Sequence, residues 1–465
     1  MGYTIRQMEN ERTFCRELTV EALQRAVPPE VIQAVLRETG RPVRRARTLT
    51  AEATIWVLIA LNVYTHLAVG HVLRKVSQGL RFIWPDPTYR VPGASAFVYR
   101  RYQLGAPPVV ALYERLARPI ATAQTPGAFR FGLRLMALDG TVEDVPDSPA
   151  NAAAFGRQHG SRGDSAFPQV QGVYLVECGT HAIVDATFGP YGTSERDGAH
   201  ALLRAVSADM LVLWDRGLHE YDLLAAVRQR AAHVLGRLPA CVKPEWVASL
   251  PDGSTLAYLR PSDPPRRAQG ERLLVRVIAY TLTDPALPGY GAVHRLVTTL
   301  LDPRVAPALE LVCLYHERWE SEVVIDETDT HQRLAGRPLR SQKPDGVLQE
   351  LYALLIAHFA IRVLMHEAAL QAGLDPDRLS FVHFVHAVRV LHDAIPEFQM
   401  VDPAERPRLY ARLLQDIAAG RLPARRLRSN PRVVKRKMSN FRLKRPEHRH
   451  WPQPTMPFHA AVLLI

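Results

Sequence analysis

Two short apolar runs that each arrive at an aspartate constrain this chain more than any other feature. LRLMALDG (residues 133–140) and MLVLWDRG (210–217) each read as a strand ending in its acid, Asp139 or Asp215. Between them, VQGVYLVECG and HAIVDATFG read as two further strands, with Gly179-Thr180 as a hairpin turn. Ser194 then opens the helical stretch SERDGAHALLRAV. Past Asp215 come the helical HEYDLLAAVRQRA and a fifth strand, HVLGRLP.

Three strands, helix, strand, helix, strand is the order of an α/β RNase H-like core, which is the fold class expected here. Residues 1–125 read as a helical N-terminal, DNA-binding domain. In it Gly40 suits a helix C-cap, and Thr50 caps the apolar helix that begins at Ala51, with Glu52 in its first turn. The core is expected over 126–240. Residues 241–305 read as a β-rich insertion, with LAYLRP, RLLVRVIAYTL and HRLVTTLL as strands and SDPPRRAQGE as a loop. Residues 306–395 return to the core with a Glu-bearing helix, and 396–465 form a basic C-terminal tail.

Charge points to a polyanionic partner because it is clustered. Lys and Arg outnumber Asp and Glu by 58 to 46, a net charge of +12. The stretch from Arg421 to Trp451 holds twelve Lys or Arg against one acid, Glu447, and so carries +11 of that total. Phe441 and Trp451 interleave with it. A second cluster, RPVRRAR, holds Arg41, Arg44, Arg45 and Arg47. The four cysteines lie far apart with no C-x-x-C pair, so neither a zinc ribbon nor a disulfide framework is indicated. The first residues lack an apolar signal region. The apolar stretches 53–70 and 351–370 are interrupted by Asn62 and His66, and by His358, Arg362, His366 and Glu367. Both read as buried helices, not membrane spans. A reduced, cytoplasmic setting is expected.

Breaking or joining a phosphodiester needs charge stabilisation on the attacking and leaving oxygens. Divalent cations held by carboxylates supply it. Asp139 and Asp215 alone also suit turn caps, and spacing does not single them out among 46 acids. The block YHERWESE resembles the tyrosine–arginine–glutamate signature of the IS-four family of insertion-sequence DDE transposases: Tyr, two residues, Arg, three residues, Glu. Tyr315, Arg318 and Glu322 meet it. LDGT with VPDSPANAAAFGR, LVLWDRGLHEY, LVTTLLDP and PRVVKRKMSNF also resemble that family, in its order.

The resemblance implies a catalytic, metal-binding triad of Asp139, Asp215 and Glu322 with two Mg²⁺ ions, for which Mn²⁺ can substitute. It implies contacts to DNA from Tyr315 and Arg318. Arg44, Arg45, Arg47, Lys435, Arg436 and Lys437 are further DNA-binding candidates. On one helix, positions 315, 318 and 322 share a face. The implied partners are terminal inverted-repeat and target DNA, with a homodimer in the complex. The family pattern continues, after six more residues, with Lys; here Asp329 stands there, an anion expected to repel a passing phosphate. A catalytically impaired, repurposed DNA-binding transposase and a simple RNase H-like nuclease are the alternative readings. Scattered histidines (His181, His200, His219) read as hydrogen-bonded residues. Trp246 in the insertion reads as structural or as a platform for an unpaired base.

Overall fold

A computed structural model of the chain describes residues 25–41, 49–80, 91–160, 163–316, 318–333, 337–385, 406–422 and 454–465. Five helices come first: α1 (Pro29–Glu38), α2 (Ala51–Val63), α3 (Val69–Leu80), α4 (Ala94–Leu104) and α5 (Pro107–Leu116). Thr50 caps α2 by accepting from the Ala53 N–H at 3.0 Å. Helix α2 is buried around its whole circumference and packs on the long α12 (Pro344–Ala372). This explains why both sequences are apolar without a polar face. Helix α12 is long and apolar enough to cross a membrane, but its charged and imidazole groups are paired inside the protein. Arg362 and His358 meet Glu327, and His366 lies 2.8 Å from the Thr125 hydroxyl.

The sheet follows. Its elements are β1 (Phe129–Arg130), β2 (Leu133–Asp144), α6 (Pro149–Phe155), β3 (His159–Gly160), β4 (Gly163–Asp164), β5 (Gln169–Glu177), β6 (Ala182–Pro190), α7 (Glu195–Leu202), β7 (Met210–Trp214), α8 (Tyr221–Gln229) and β8 (His233–Arg237). The first five places in the sheet run β6-β5-β2-β7-β8, with β2–β7 and β7–β8 parallel and the rest antiparallel. That is the RNase H-like arrangement. The β5–β6 turn is where expected: Gly179 has φ +79°, and a β-carbon there would come within 2.9 Å of the Ala128 backbone, so only glycine fits.

Strands β9 (Glu245–Ser249), β10 (Thr255–Leu259), β11 (Leu273–Leu282) and β12 (His294–Thr298) make the insertion. They extend the core sheet, since β12 pairs with β8 and the order continues β12-β11-β10-β9. The stretch read as a loop contains a short helix, α9 (Pro264–Ala268), started by prolines whose fixed φ suits a first turn. Helices α10 (Ala308–His316) and α11 (Trp319–Asp326) follow, then a π-helical turn, Glu327–Gln332. Helix α13 (Arg406–Ala419) packs on α12, and β13 (Val462–Leu464) pairs with β11.

Two expectations are corrected. Asp139 does not end its strand: β2 runs on to Asp144, because β5 keeps pairing with it down to Asp144↔Gln169 after the apolar run has stopped. Tyr315, Arg318 and Glu322 do not lie on one helix either. Helix α10 runs to His316 and α11 begins at Trp319, so Tyr315 lies in the last turn of α10 and Arg318 stands at the N-cap of α11. The basic candidates Arg44, Arg45, Arg47, Lys435, Arg436 and Lys437 lie outside the described residues.

Candidate functional site

Parallel pairing of β2 with β7 brings the two aspartates together. Ala137 is in register with Leu213, and Asp139 and Asp215 each lie two residues further on. Each is half-buried. Asp215 Oδ1 is fixed by the N–H groups of Gly217 (2.7 Å) and Leu218 (3.3 Å), which form the turn that leaves the strand. Asp139 Oδ1 accepts from the Gly140 N–H at 3.0 Å, and Oδ2 accepts from the Ser321 hydroxyl of α11 at 2.8 Å. That second bond docks the Glu322 helix onto β2.

The helix break has a consequence for charge. Arg318 is buried, with Nη1 3.7 Å from Asp139 Oδ2 and Nη2 3.4 Å from Glu322 Oε1. Burial pushes its guanidinium pKa down, but Tyr315, Asp139, Glu322 and Asp215 push it up and prevail. Burial raises the Asp139 pKa, Ser321, Arg318 and Gly140 oppose, and the Asp215 carboxylate adds to the rise. The Tyr315 ring is buried, its centroid 6.0 Å from Arg318 Cζ, and burial raises its phenol. The three acids and the Tyr–Arg pair thus form one cluster despite the broken helix. The donor set is entirely carboxylate oxygen, and a cation already lies among the acids. The all-oxygen donor set fits a hard divalent ion.

Glu195 is a fourth carboxylate that sequence reasoning missed. It stands at the start of α7 behind its Ser194 cap, where an acid is fully explained by the helix start, so nothing marked it. Its carboxyl lies against Gly140. Burial, then Asp215 and Asp139, raise its pKa, and Gln171 opposes.

Asp329 and the histidines are engaged in contacts within the fold. Asp329 does not face outward: it accepts from the Thr141 hydroxyl at 3.2 Å and sits beside Glu143 and Arg333, which bond each other. The continuation of β2 past Asp139 puts Thr141 and Glu143 under the π-helical turn, which is why the expected position fails. His181 contacts Glu327 (3.1 Å) and Asp377 (3.1 Å), and His200 contacts Glu220 (2.8 Å). Burial lowers the His219 pKa to about 4, helped by Arg196 and Arg295, which keeps it neutral. His181, Glu320 and Asp377 bring ligand atoms within 4.8 Å of one another, but Arg362 Nη2 stands 2.8 Å from His181 Nδ1, so this group reads as a buried ion-pair network. Trp246 is 67% exposed on β9 and is not a core residue.

A sheet of this order is the setting of a DDE-type transposase, and the family matches define the chain as one. Residues 17–114 match the family described as insertion element 4 transposase N-terminal, and residues 130–360 match the transposase DDE domain. The chain is 29% identical over 435 residues to the transposase InsG for insertion sequence element IS4 of Escherichia coli (strain K12), covering 92% of each. It is 28% identical over 221 residues to the putative transposase InsZ of the same organism, covering 46% of this chain and 69% of that one. Among solved structures, a piggyBac transposase synaptic complex with hairpin DNA aligns over 87% of this chain and 85% of that one, at TM-score 0.40 and 11% identity. The chain belongs to the IS4 family of DDE transposases, enzymes that act on DNA and use divalent metal.

Proposed function

We propose that this transposase hydrolyses a phosphodiester at each transposon end and then joins the freed 3′-hydroxyl to target DNA, with Asp139, Asp215 and Glu322 as its metal ligands. The observation that carries the reading is the convergence of Asp139 and Glu322 on the Arg318 guanidinium, with the Asp215 charge acting on both Arg318 and Asp139. Two Mg²⁺ ions, or Mn²⁺ in their place, would be held by these three carboxylates and would supply Lewis-acid stabilisation of the attacking and leaving oxygens. Ser321 and the Gly140 amide hold Asp139 in one orientation, and the amides of Gly217 and Leu218 do the same for Asp215. Arg318, planar and held in place, would orient a DNA phosphate, with the Tyr315 hydroxyl beside it. The partners are terminal inverted-repeat and target DNA, engaged by a homodimer at the nucleoid.

Incubating the full chain with duplexes carrying the inverted repeats and Mg²⁺ tests this. Cleaved and strand-joined products are expected. Cleavage without joining points instead to a simple nuclease, and a mobility shift without cleavage to a DNA-binding protein.

A further inference from the structure

Four carboxylates approach one another where β2 and β7 run side by side, and Arg318 answers only three of them. Asp139, Asp215 and Glu322 all raise the Arg318 pKa. Glu195 comes from the other helix at the site. Its position is tightly defined: a β-carbon at residue 140 would lie 2.7 Å from Glu195 Oε1 and 2.8 Å from its Cδ, so the carboxyl rests on the bare backbone next to Asp139. The start of α7 is also tied to the Asp215 turn, because Arg196 Nε donates to the Gly217 carbonyl at 3.2 Å. Among the described residues no cation is paired with Glu195, and the charges acting on it are the like charges of Asp215 and Asp139.

Stabilising the start of α7 does not explain this placement. Asp197 already puts an acid in that first turn. Glu195 is itself exposed, yet its carboxyl rests on Gly140 beside two anions rather than pointing away from them. The glycine at 140 instead gives the carboxyl a seat beside them, as a shared cation requires.

We propose that Glu195 is a fourth ligand of the divalent metal centre, for Mg²⁺ or Mn²⁺, reaching it from the side opposite Glu322. The assignment rests on the reading of Asp139 and Asp215 as metal ligands.

Mn²⁺ titrated into the full chain, with free Mn²⁺ followed by its electron paramagnetic resonance signal, tests this without any cleavage assay. Glu195→Gln is expected to weaken Mn²⁺ binding by about tenfold or more, the scale for losing a group that supports a bound metal. Its melting temperature in metal-free buffer should match or exceed the wild type, since the change removes a carboxylate beside two others. Glu195→Asp keeps the charge at the helix start but shortens the arm, and should lose affinity as well. Asp139→Asn is the control. Unchanged affinity in both Glu195 variants, with Asp139→Asn weakened, overturns the assignment of Glu195 alone. Unchanged affinity in Asp139→Asn as well overturns the metal-site reading on which it rests. A Glu195→Gln variant that loses melting temperature without metal, in step with its affinity, makes the residue structural and also overturns the proposal.

Discussion

Asp329 shows how one residue's setting changes the meaning of its charge. Seen against the family pattern, it is an anion where a cation belongs, facing DNA. In the fold it is held by Thr141, beside the carboxylate of Glu143, with Arg333 close to both. Burial, followed by Glu143, raises its pKa well above the usual carboxylate range, while Arg333 and Thr141 oppose. A carboxyl whose folded-state pKa is raised destabilises the protein once pH exceeds its unfolded value, and the penalty grows until pH passes the folded value. Asp329→Asn should therefore stabilise the protein at neutral pH, by on the order of 1 kcal/mol. The gain should disappear below the unfolded carboxyl pKa. Urea unfolding of both proteins at pH 7 and pH 3 measures it, and a pH-independent difference contradicts the account. The same variant should leave the salt dependence of DNA binding unchanged, because the side chain lies against β2.

At the scale of elements, the segment from Arg318 to Arg333 is fastened along β2: Ser321 to Asp139, Asp329 to Thr141, and Arg333 to Glu143. These β2 positions alternate along the strand and so share a face. The far end of the segment is anchored by Glu327, buried between Arg362, His181 and His358. Burial alone would raise the Glu327 pKa, but Arg362 and then His181 take it well below its usual 4.5. Glu327→Gln strands the Arg362 charge and should cost about 3–5 kcal/mol. A depressed carboxyl contributes stability above its unfolded pKa and loses it as pH falls through the folded one. The deficit should therefore be full at pH 7 and shrink in acid, as chemical unfolding at the two pH values will show. Trp246 makes the opposite case: Trp246→Ala should change stability by less than about 0.5 kcal/mol in a thermal melt, since the ring is mostly exposed. Asp215 was legible in the sequence because its apolar strand ends at Trp214. The end of β2 was not, because cross-strand pairing carried it past the apolar run. Glu322 was legible only through its signature, and Glu195 not at all, because a helix start already accounts for it. The break before α11 was hidden because the residues around it suit a helix.

Across the whole molecule, the sheet is continuous from β6 through the insertion to β9, and the last residues rejoin it as β13 on β11. Phe458 is buried just before that strand. Removing residues 421–465 would therefore strip β11 of a partner along with the basic charges. Replacing Lys435, Arg436 and Lys437 with Gln tests the charges alone. If they bind DNA, the slope of log affinity against log salt should flatten by about 0.9 for each phosphate they neutralise. A fluorescence titration across salt concentrations gives that slope, and an unchanged value would mean that these cations do not touch DNA. The central claim, that Asp139, Asp215 and Glu322 act together on the phosphodiester, is tested most directly by Asp139→Asn, Asp215→Asn and Glu322→Gln. Each variant is assayed for cleavage of terminal-repeat DNA in Mg²⁺ and for binding of the same DNA in EDTA. Each should lose cleavage by about a thousandfold or more, the scale of several kcal/mol of transition-state stabilisation, while still binding the ends. Wild-type cleavage by any one of the three would remove that residue from the site.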